Sequence, residues 1–268
     1  MKISCVIPTK DRCRMVLEAV ASVKRQQRDD LEIILVDDDS SDNTIAEVSS
    51  RFPEVTVVRS HGTGPGAARN AGVAASGNDV LMFLDSDDIW LENHVEQLAA
   101  ALDRGFNVAY GVTYTKNMVG TADFLIPENG TGPDGDCFNA LLRWCFLVPS
   151  ALAVRRETFY EVGGFDAVAP GEDWIFLLKL AACHPFGFAG TTPITLRRLH
   201  RGSLCFLRDG KKLLAILVQI LNLLEREPRA TPAHRKHFEK LHAWTAANAA
   251  QWSTVQDWYT SLIKEKII

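Results

Sequence analysis

Three acidic side chains crowd into four positions of this chain. Asp85, Asp87 and Asp88 close the stretch Val80 to Trp90, VLMFLDSDDIW. Charges gathered at the mouth of an apolar run repel one another unless a cation neutralises them. Hard carboxylate oxygens favour Mg2+ or Mn2+, and an ion with open positions can hold the oxygens of a diphosphate. A solvated turn or helix cap would use the same residues. A second acidic pair, Glu172-Asp173, opens an amphipathic helix in which Trp174, Leu177, Leu178 and Ala181 share a face. Negative charge there complements the helix dipole, so capping alone would explain the pair. Arg69 and Asn70, in GPGAARN, lie about one turn into a helix with a Gly-rich entrance. A guanidinium and free helix N–H groups suit phosphate or nucleoside oxygens, although an arginine bracing acidic strand ends fits the pattern equally well. Gly62, Gly64 and Gly66 follow a strand without the remaining context of a dinucleotide fingerprint.

The positions of these groups depend on the elements that carry them. Val80 to Leu84 is an unbroken apolar run, the mark of a strand buried on both faces. Ile3 to Ile7 is a β-rich run closed by Pro8, Leu31 to Val36 ends in Asp37, Asp38 and Asp39, and Val55 to Val58 is a third strand. Helical patterns separate them: Met15, Ala19, Val20 and Val23 on one face, a segment capped by Ser40, Ser41 or Asp42 and running to about Arg51, and another over Ala67 to Ala75. Strand–helix alternation with short connections implies a parallel, doubly wound sheet. Ligands bind beyond the carboxyl ends of such strands, and here those ends are Pro8/Thr9, Asp37/Asp38 and Asp85/Asp87. Three strand ends should therefore meet in one acidic crevice.

Beyond Leu91 the pattern predicts a helix over Asn93 to Leu102, a strand or hairpin over Val108 to Tyr114, and a long polar segment from Asn117 to Asp136 suited to acceptor contact or donor-site closure. A β-like run at Ser150 to Val154, a short helix over Glu157 to Val162, the turn Gly163 to Asp166, a helix opened by Pro170-Gly171-Glu172-Asp173 and a strand at Thr195 to Leu199 follow. Three helical segments then occupy about 213–224, 233–251 and 254–264. The expected organisation is a catalytic domain over 1–204, with a nucleotide-binding half (1–90) and an acceptor half (91–204). A helical extension over 205–268 could pack on that domain or serve a homodimer.

Bulk properties narrow the partners. At 268 residues and 47% apolar composition the chain can bury a substantial core, and a net charge of -4 argues against general nucleic-acid binding. Six scattered cysteines without a C-x-x-C pair read as reduced thiols. No basic region and apolar signal core precede the strand-like KISCVIP, so a cytoplasmic location is expected. The longest apolar run, Leu213 to Val218, is too short for a membrane span. Basic residues around the last helices suggest a peripheral membrane surface, an idea weakened by the glutamates among them.

The segments VIPTKDR, VDDDSSDNT, GPGAARNAG, FLDSDDIW, GGFD and GEDW occur in this order between Ile3 and about His200. Together they resemble the inverting nucleotide-sugar glycosyltransferases of family two. The resemblance implies an α/β fold of the GT-A (Rossmann-like) type, a mostly parallel sheet flanked by helices, here with a C-terminal helical appendage. It implies transfer of a sugar from a nucleotide diphosphate-sugar donor, UDP being the expected nucleotide, to a hydroxyl-bearing acceptor. Pro8, Thr9, Asp11 and Asp38 would hold the nucleoside, with Asp38 accepting from the base ring. Arg69, Asp85 and Ser86 would contact the nucleotide sugar, and Asp87 would ligate Mn2+ or Mg2+ with help from His200. Asp173 would be the general base and Glu172 would orient the acceptor or its loop. Arg197, Arg198 and Arg201 could neutralise the departing diphosphate. Two departures from the family pattern bear on the base: Asp39 stands where Gly is common, and Lys10-Asp11 replaces the commoner aromatic–Asn pair. One rival reading is a sugar-phosphate nucleotidyltransferase, whose Gly/Arg/Lys-rich loop TKDRCR matches poorly. The other is a catalytically silent nucleotide-sugar binding protein.

Overall fold

The computed structural model describes residues 1–62, 64–120, 122–166, 171–204, 211–252 and 255–265. Pro170, singled out above, and one of the six cysteines, Cys205, lie outside them.

The first half alternates as its pattern predicts: β1 (Ile3–Thr9), α1 (Cys13–Lys24), β2 (Leu31–Asp37), α2 (Thr44–Arg51), β3 (Thr56–Arg59), α3 (Pro65–Ala75) and β4 (Val80–Phe83). A short β5 (Ile89–Trp90) leads to α4 (His94–Asp103), β6 (Val108–Asn117) and β7 (Phe124–Ile126). Then come α5 (Phe138–Arg143), β8 (Leu152–Arg155), α6 (Arg156–Glu161), α7 (Glu172–Cys183), β9 (Phe186–Leu199), α8 (Lys211–Arg226), α9 (Pro232–Ala247) and α10 (Val255–Lys264). The sheet order is β3-β2-β1-β4-β8-β6-β9-β5, with β7 paired to β6. Strands β3, β2, β1 and β4 run parallel, whereas β8 is antiparallel to both β4 and β6.

Alternation along the buried strands divides the interior into two cores, one on each face of the sheet. Val80, Met82 and Leu84 join Val16, Val20, Val23 and Leu98 on the side of α1 and α4. Leu81 and Phe83 face the opposite core with Phe159, Phe165 and Phe176. Leu213, Ile216, Leu217, Ile220 and Leu224 of α8 enter this second core beside Trp174 and Phe238, so the C-terminal helices share an interior with α7. Each such side chain contributes roughly 1.5–3 kcal/mol on burial.

Three segments differ from the sequence pattern. Strand β9 begins at Phe186, well before Thr195. Gly187, Gly190 and Pro193 read as breakers, yet pairing with β6 absorbs them through shifts of register between Tyr110 and Thr113. The 117–136 segment carries a strand of its own, because Phe124 to Ile126 pairs with Thr113 to Thr115. The β-like run at Ser150 starts as a single turn of 3-10 helix over Pro149–Ala151, and only Leu152 to Arg155 pairs as strand.

Candidate active site

Parallel pairing places Thr9 beside Asp37 at the ends of β1 and β2, and Asp38 N–H donates to the Thr9 carbonyl at 2.8 Å. Strand β4 ends at Phe83, opposite Val6, and the chain beyond it delivers Asp85, Ser86, Asp87 and Asp88 to the same edge. These ends open into a cavity of about 710 Å3 whose wall includes Pro8, Thr9, Asp38, Arg69, Asp85, Ser86, Asp87, Glu172 and Asp173. Acids separated by more than eighty positions in the chain therefore share one hollow. Another part of the wall is apolar, formed by Phe124, Ile126, Trp144, Leu147, Val148 and Ile216.

The wall at the ends of β1 and β2 is tightly built. Thr9 and Asp38 are 3% and 7% exposed. Asp38 accepts from the Ser60 hydroxyl and, at 3.0 Å, from Gly64 N–H ahead of α3. Asp39 adopts φ +69°, a left-handed conformation that accounts for glycine being common at this point and that Asp tolerates better than most residues. Asp11 does not join this wall. It is exposed with φ +49°, and its carboxylate accepts from Ser41 N–H at 2.7 Å and the Ser41 hydroxyl at 3.0 Å. Those bonds hold the loop after β2 and keep the Asp11 acid below the usual carboxylate range. Lys10 lines the cavity in its place. Asp42 caps α2, accepting from Thr44 N–H at 2.9 Å.

Arg69 serves as a brace. Its side chain is 4% exposed, and it donates to Asp85 Oδ1 at 2.6 Å and to Glu172 Oε1 at 3.0 Å while lying over the Phe165 ring. Burial would weaken the guanidinium's hold on its proton, but Asp85 and Glu172 more than reverse that. Glu172 is itself raised, by burial first and by the Asp173 charge second, against the opposing pull of Arg69. Asn70 completes the link from α3 to the turn before α7: its amide donates to Phe165 O at 2.8 Å and its carbonyl accepts Phe165 N–H at 3.0 Å. Close approach explains two glycines. A Cβ on Gly66 would lie 2.7 Å from Asp166 O, and one on Gly171 (φ +90°) would lie 2.4 Å from Ile216 Cγ1. Glu172 thus faces Arg69, leaving Asp173, half-buried and bonded to Trp174 N–H at 2.8 Å, as the cavity-facing acid free of that brace.

Asp88 was grouped with Asp85 and Asp87 by sequence, but it is 3% exposed and structural. It accepts from the Ser150 hydroxyl at 2.7 Å and from Arg198 N–H at 3.1 Å. Burial, then the charges of Asp87 and Asp85, lift its carboxyl to about 8. Trp90 is core: its indole N–H donates to Ser150 O at 3.1 Å and its ring stacks on buried His94.

Asp87 and His200 converge, with Nε2 3.0 Å from Asp87 Oδ2. Arg12 and Asp87 border the cavity and His200 does not, and Arg12 approaches both members of the pair. One Arg12 guanidinium nitrogen is 2.8 Å from Asp87 Oδ2 and 2.9 Å from His200 Nε2, and the other donates to Gly202 O at 2.8 Å. Gly202 N–H donates to His200 Nδ1 at 3.1 Å, which leaves the ring proton on Nε2, directed at Asp87. No local pattern signals Arg12's part, because the groups it approaches lie 75 and 188 positions away. Of the three later arginines, Arg197 and Arg198 line the cavity and Arg201 is exposed. Arg198 is tied to the Asp87 carbonyl and to Glu18.

Among the described residues no three His, Cys, Asp or Glu side chains cluster as a closed metal cage. One carboxylate oxygen and one imidazole nitrogen fit a different kind of site, in which substrate oxygens and water complete the coordination of Mn2+ or Mg2+.

The family model described as "Glycosyl transferase family 2" matches residues 4–163. The chain belongs to that family. An uncharacterised glycosyltransferase of Nostoc sp. is 32% identical over 179 residues, 63% of this chain and 55% of its own length, so this family member spans little more than half of that relative. The solved structure of S. aureus TarS 1–349 in complex with UDP-GlcNAc aligns with TM-score 0.71 at 18% identity, covering 91% of this chain and 72% of that one. The mannosyltransferase PcManGT from Pyrobaculum calidifontis, solved with GDP-Man and Mn2+, aligns with TM-score 0.59 at 19% identity, covering 99% and 79%. The fold of this glycosyl transferase family 2 member is the GT-A fold. Asp173 and His200 lie beyond the matched residues, so their roles rest on the geometry above.

Proposed function

We propose that this chain moves a sugar from a nucleoside diphosphate-sugar, UDP being the favoured nucleotide, to an acceptor hydroxyl, with inversion at the anomeric carbon. The observation that carries this reading is the shared cavity: Asp87 and Asp173, from opposite halves of the chain, both line it. Asp173 is placed to take the proton of the acceptor hydroxyl as the new glycosidic bond forms. A positioned carboxylate of this kind contributes about 10²- to 10⁴-fold. Glu172, held by Arg69, fixes the start of α7 and with it the direction of Asp173. Asp38 and Thr9 would hold the nucleoside, with Asp85 and Ser86 beside the ribose and donor sugar. Asp87 and His200 would hold Mn2+ or Mg2+, which when bound stabilises negative charge on the departing diphosphate. The apolar wall at Phe124, Trp144 and Leu147 suits the acceptor, whose hydroxyl must approach Asp173 from a face where water is scarce.

The test is release of UDP from UDP-sugars in the presence of Mn2+, by the wild type and by Asp87→Ala, together with the thermal shift produced by UDP and Mn2+. Turnover and Mn2+-dependent stabilisation are expected in the wild type and should both be lost in the variant. An undiminished shift in Asp87→Ala would remove the cation from this position.

A further inference from the structure

Arg12 presents a conflict that the proposed reading of the donor and cation sites must resolve. Its guanidinium lies within 2.9 Å of both groups that would hold the cation, and the three side chains are 19% (Arg12), 16% (Asp87) and 18% (His200) exposed. A divalent ion on Asp87 and His200 would stand at hydrogen-bonding range from a permanent positive charge, in a half-buried place where water screens poorly. The arginine and the ion cannot both keep these partners.

A donor diphosphate removes the conflict. Phosphate oxygens match the planar fork of a guanidinium, and Arg12 already borders the cavity. We propose that Arg12 is an exchangeable internal cation: it pairs with Asp87 and crowds the His200 ring beside it until the donor arrives, then turns to the diphosphate and frees both groups for the metal. The exchange rests on the cation reading given above and adds a consequence to it. Metal and nucleotide bind as a pair, each helping the other beyond the oxygens they share. Arg12 also holds the Gly202 carbonyl, and Gly202 N–H in turn holds His200 Nδ1. Release of Arg12 therefore loosens the turn whose Gly202 N–H occupies Nδ1, so that the ring proton can move from Nε2 to Nδ1 and Nε2 can offer its lone pair. Arg69 makes no such exchange, since its 4% exposed side chain is enclosed between Asp85 and Glu172.

Couplings of this kind are reciprocal and commonly 5- to 150-fold. The experiment is calorimetry of MnCl2 alone, and of MnCl2 with saturating UDP, GDP or dTDP, on the wild type and on Arg12→Met, with Mn2+ electron paramagnetic resonance as an independent count of bound ion. In Arg12→Met, Mn2+ alone should bind about 10-fold more tightly than in the wild type, and the nucleotide's enhancement of Mn2+ binding should shrink by a similar factor. Arg12→Gln, which keeps a donor for Gly202 O, should move both quantities in the same direction, and a thermal melt on the same samples verifies folding. Unchanged or weaker binding of Mn2+ alone by folded variants would overturn the exchange while leaving the cation site standing. Absence of Mn2+ binding by the wild type even with nucleotide would overturn the cation reading, and the exchange with it.

Discussion

Arg69 and Arg12 each hold acids of the same cavity, yet the two arginines sit in different surroundings. Arg69 is enclosed, touches two carboxylates from separate halves of the chain, and lies over an aromatic ring. Arg12 is more exposed, shares its charge between one carboxylate, one imidazole and one carbonyl, and faces the hollow. Burial between two carboxylates makes an ion pair costly to break, because removing one partner leaves a charge with neither water nor counterion. Partial exposure makes the partners replaceable. The same residue type thus serves as a fixed joint in one place and as a movable charge in the other.

Breaking the joint should have the largest effect. Arg69→Met is expected to cost about 3–5 kcal/mol in urea denaturation, because Glu172 and Asp85 lose their counterion. Adding Glu172→Gln should return part of that loss, as expected for residues in one network. A cost below about 1 kcal/mol for Arg69→Met would mean that the joint carries no load. Asp88 offers an intermediate case, a buried acid held by a hydroxyl and a backbone N–H. Its folded carboxyl, lifted to about 8, keeps a proton that the unfolded chain releases near its ordinary value of 3.8. Its contribution to stability is therefore present below about pH 4 and falls as pH rises toward 8. The melting temperature of Asp88→Asn should decline less over that window than the wild type's, and parallel profiles would contradict the assignment. The smallest effect belongs to the movable charge. Without ligands, Arg12→Met should change stability by about 1 kcal/mol or less, as partly exposed pairs do, and a loss as large as that of Arg69→Met would erase the distinction between the two arginines.

Much of the first half, residues 1–90, was legible because its signals are local. Leu81 and Phe83 alternate with Val80 and Met82 between two cores, and an apolar run that ends in Asp is visible without any partner. The strand ends then follow from topology. Arg69 illustrates the limit: its sequence allowed either a ligand contact or a brace, and only the approach of α7 to α3, made close by Gly66, gave it Glu172 as a partner. Asp11 looked like its neighbours Pro8 and Thr9, but a left-handed backbone turned it toward Ser41. Arg12 stayed hidden because nothing near it in sequence reports Asp87 or His200. The apolar wall of the cavity was harder to read for a related reason. Phe124, Trp144 and Ile216 come from three distant segments and share a wall only after β7 pairs with β6 and α8 packs on α7.

The proposed chemistry needs Asp173, the second residue of α7, to remove the acceptor's proton in a pocket that binds the donor independently of it. Parallel measurement of UDP affinity with Mn2+ and of single-turnover sugar transfer, in the wild type and in Asp173→Asn, tests this most directly. The expected result is nucleotide affinity within about twofold of the wild type and a transfer rate lowered about 10²- to 10⁴-fold. Transfer at the wild-type rate by a folded, UDP-binding Asp173→Asn protein would contradict the account.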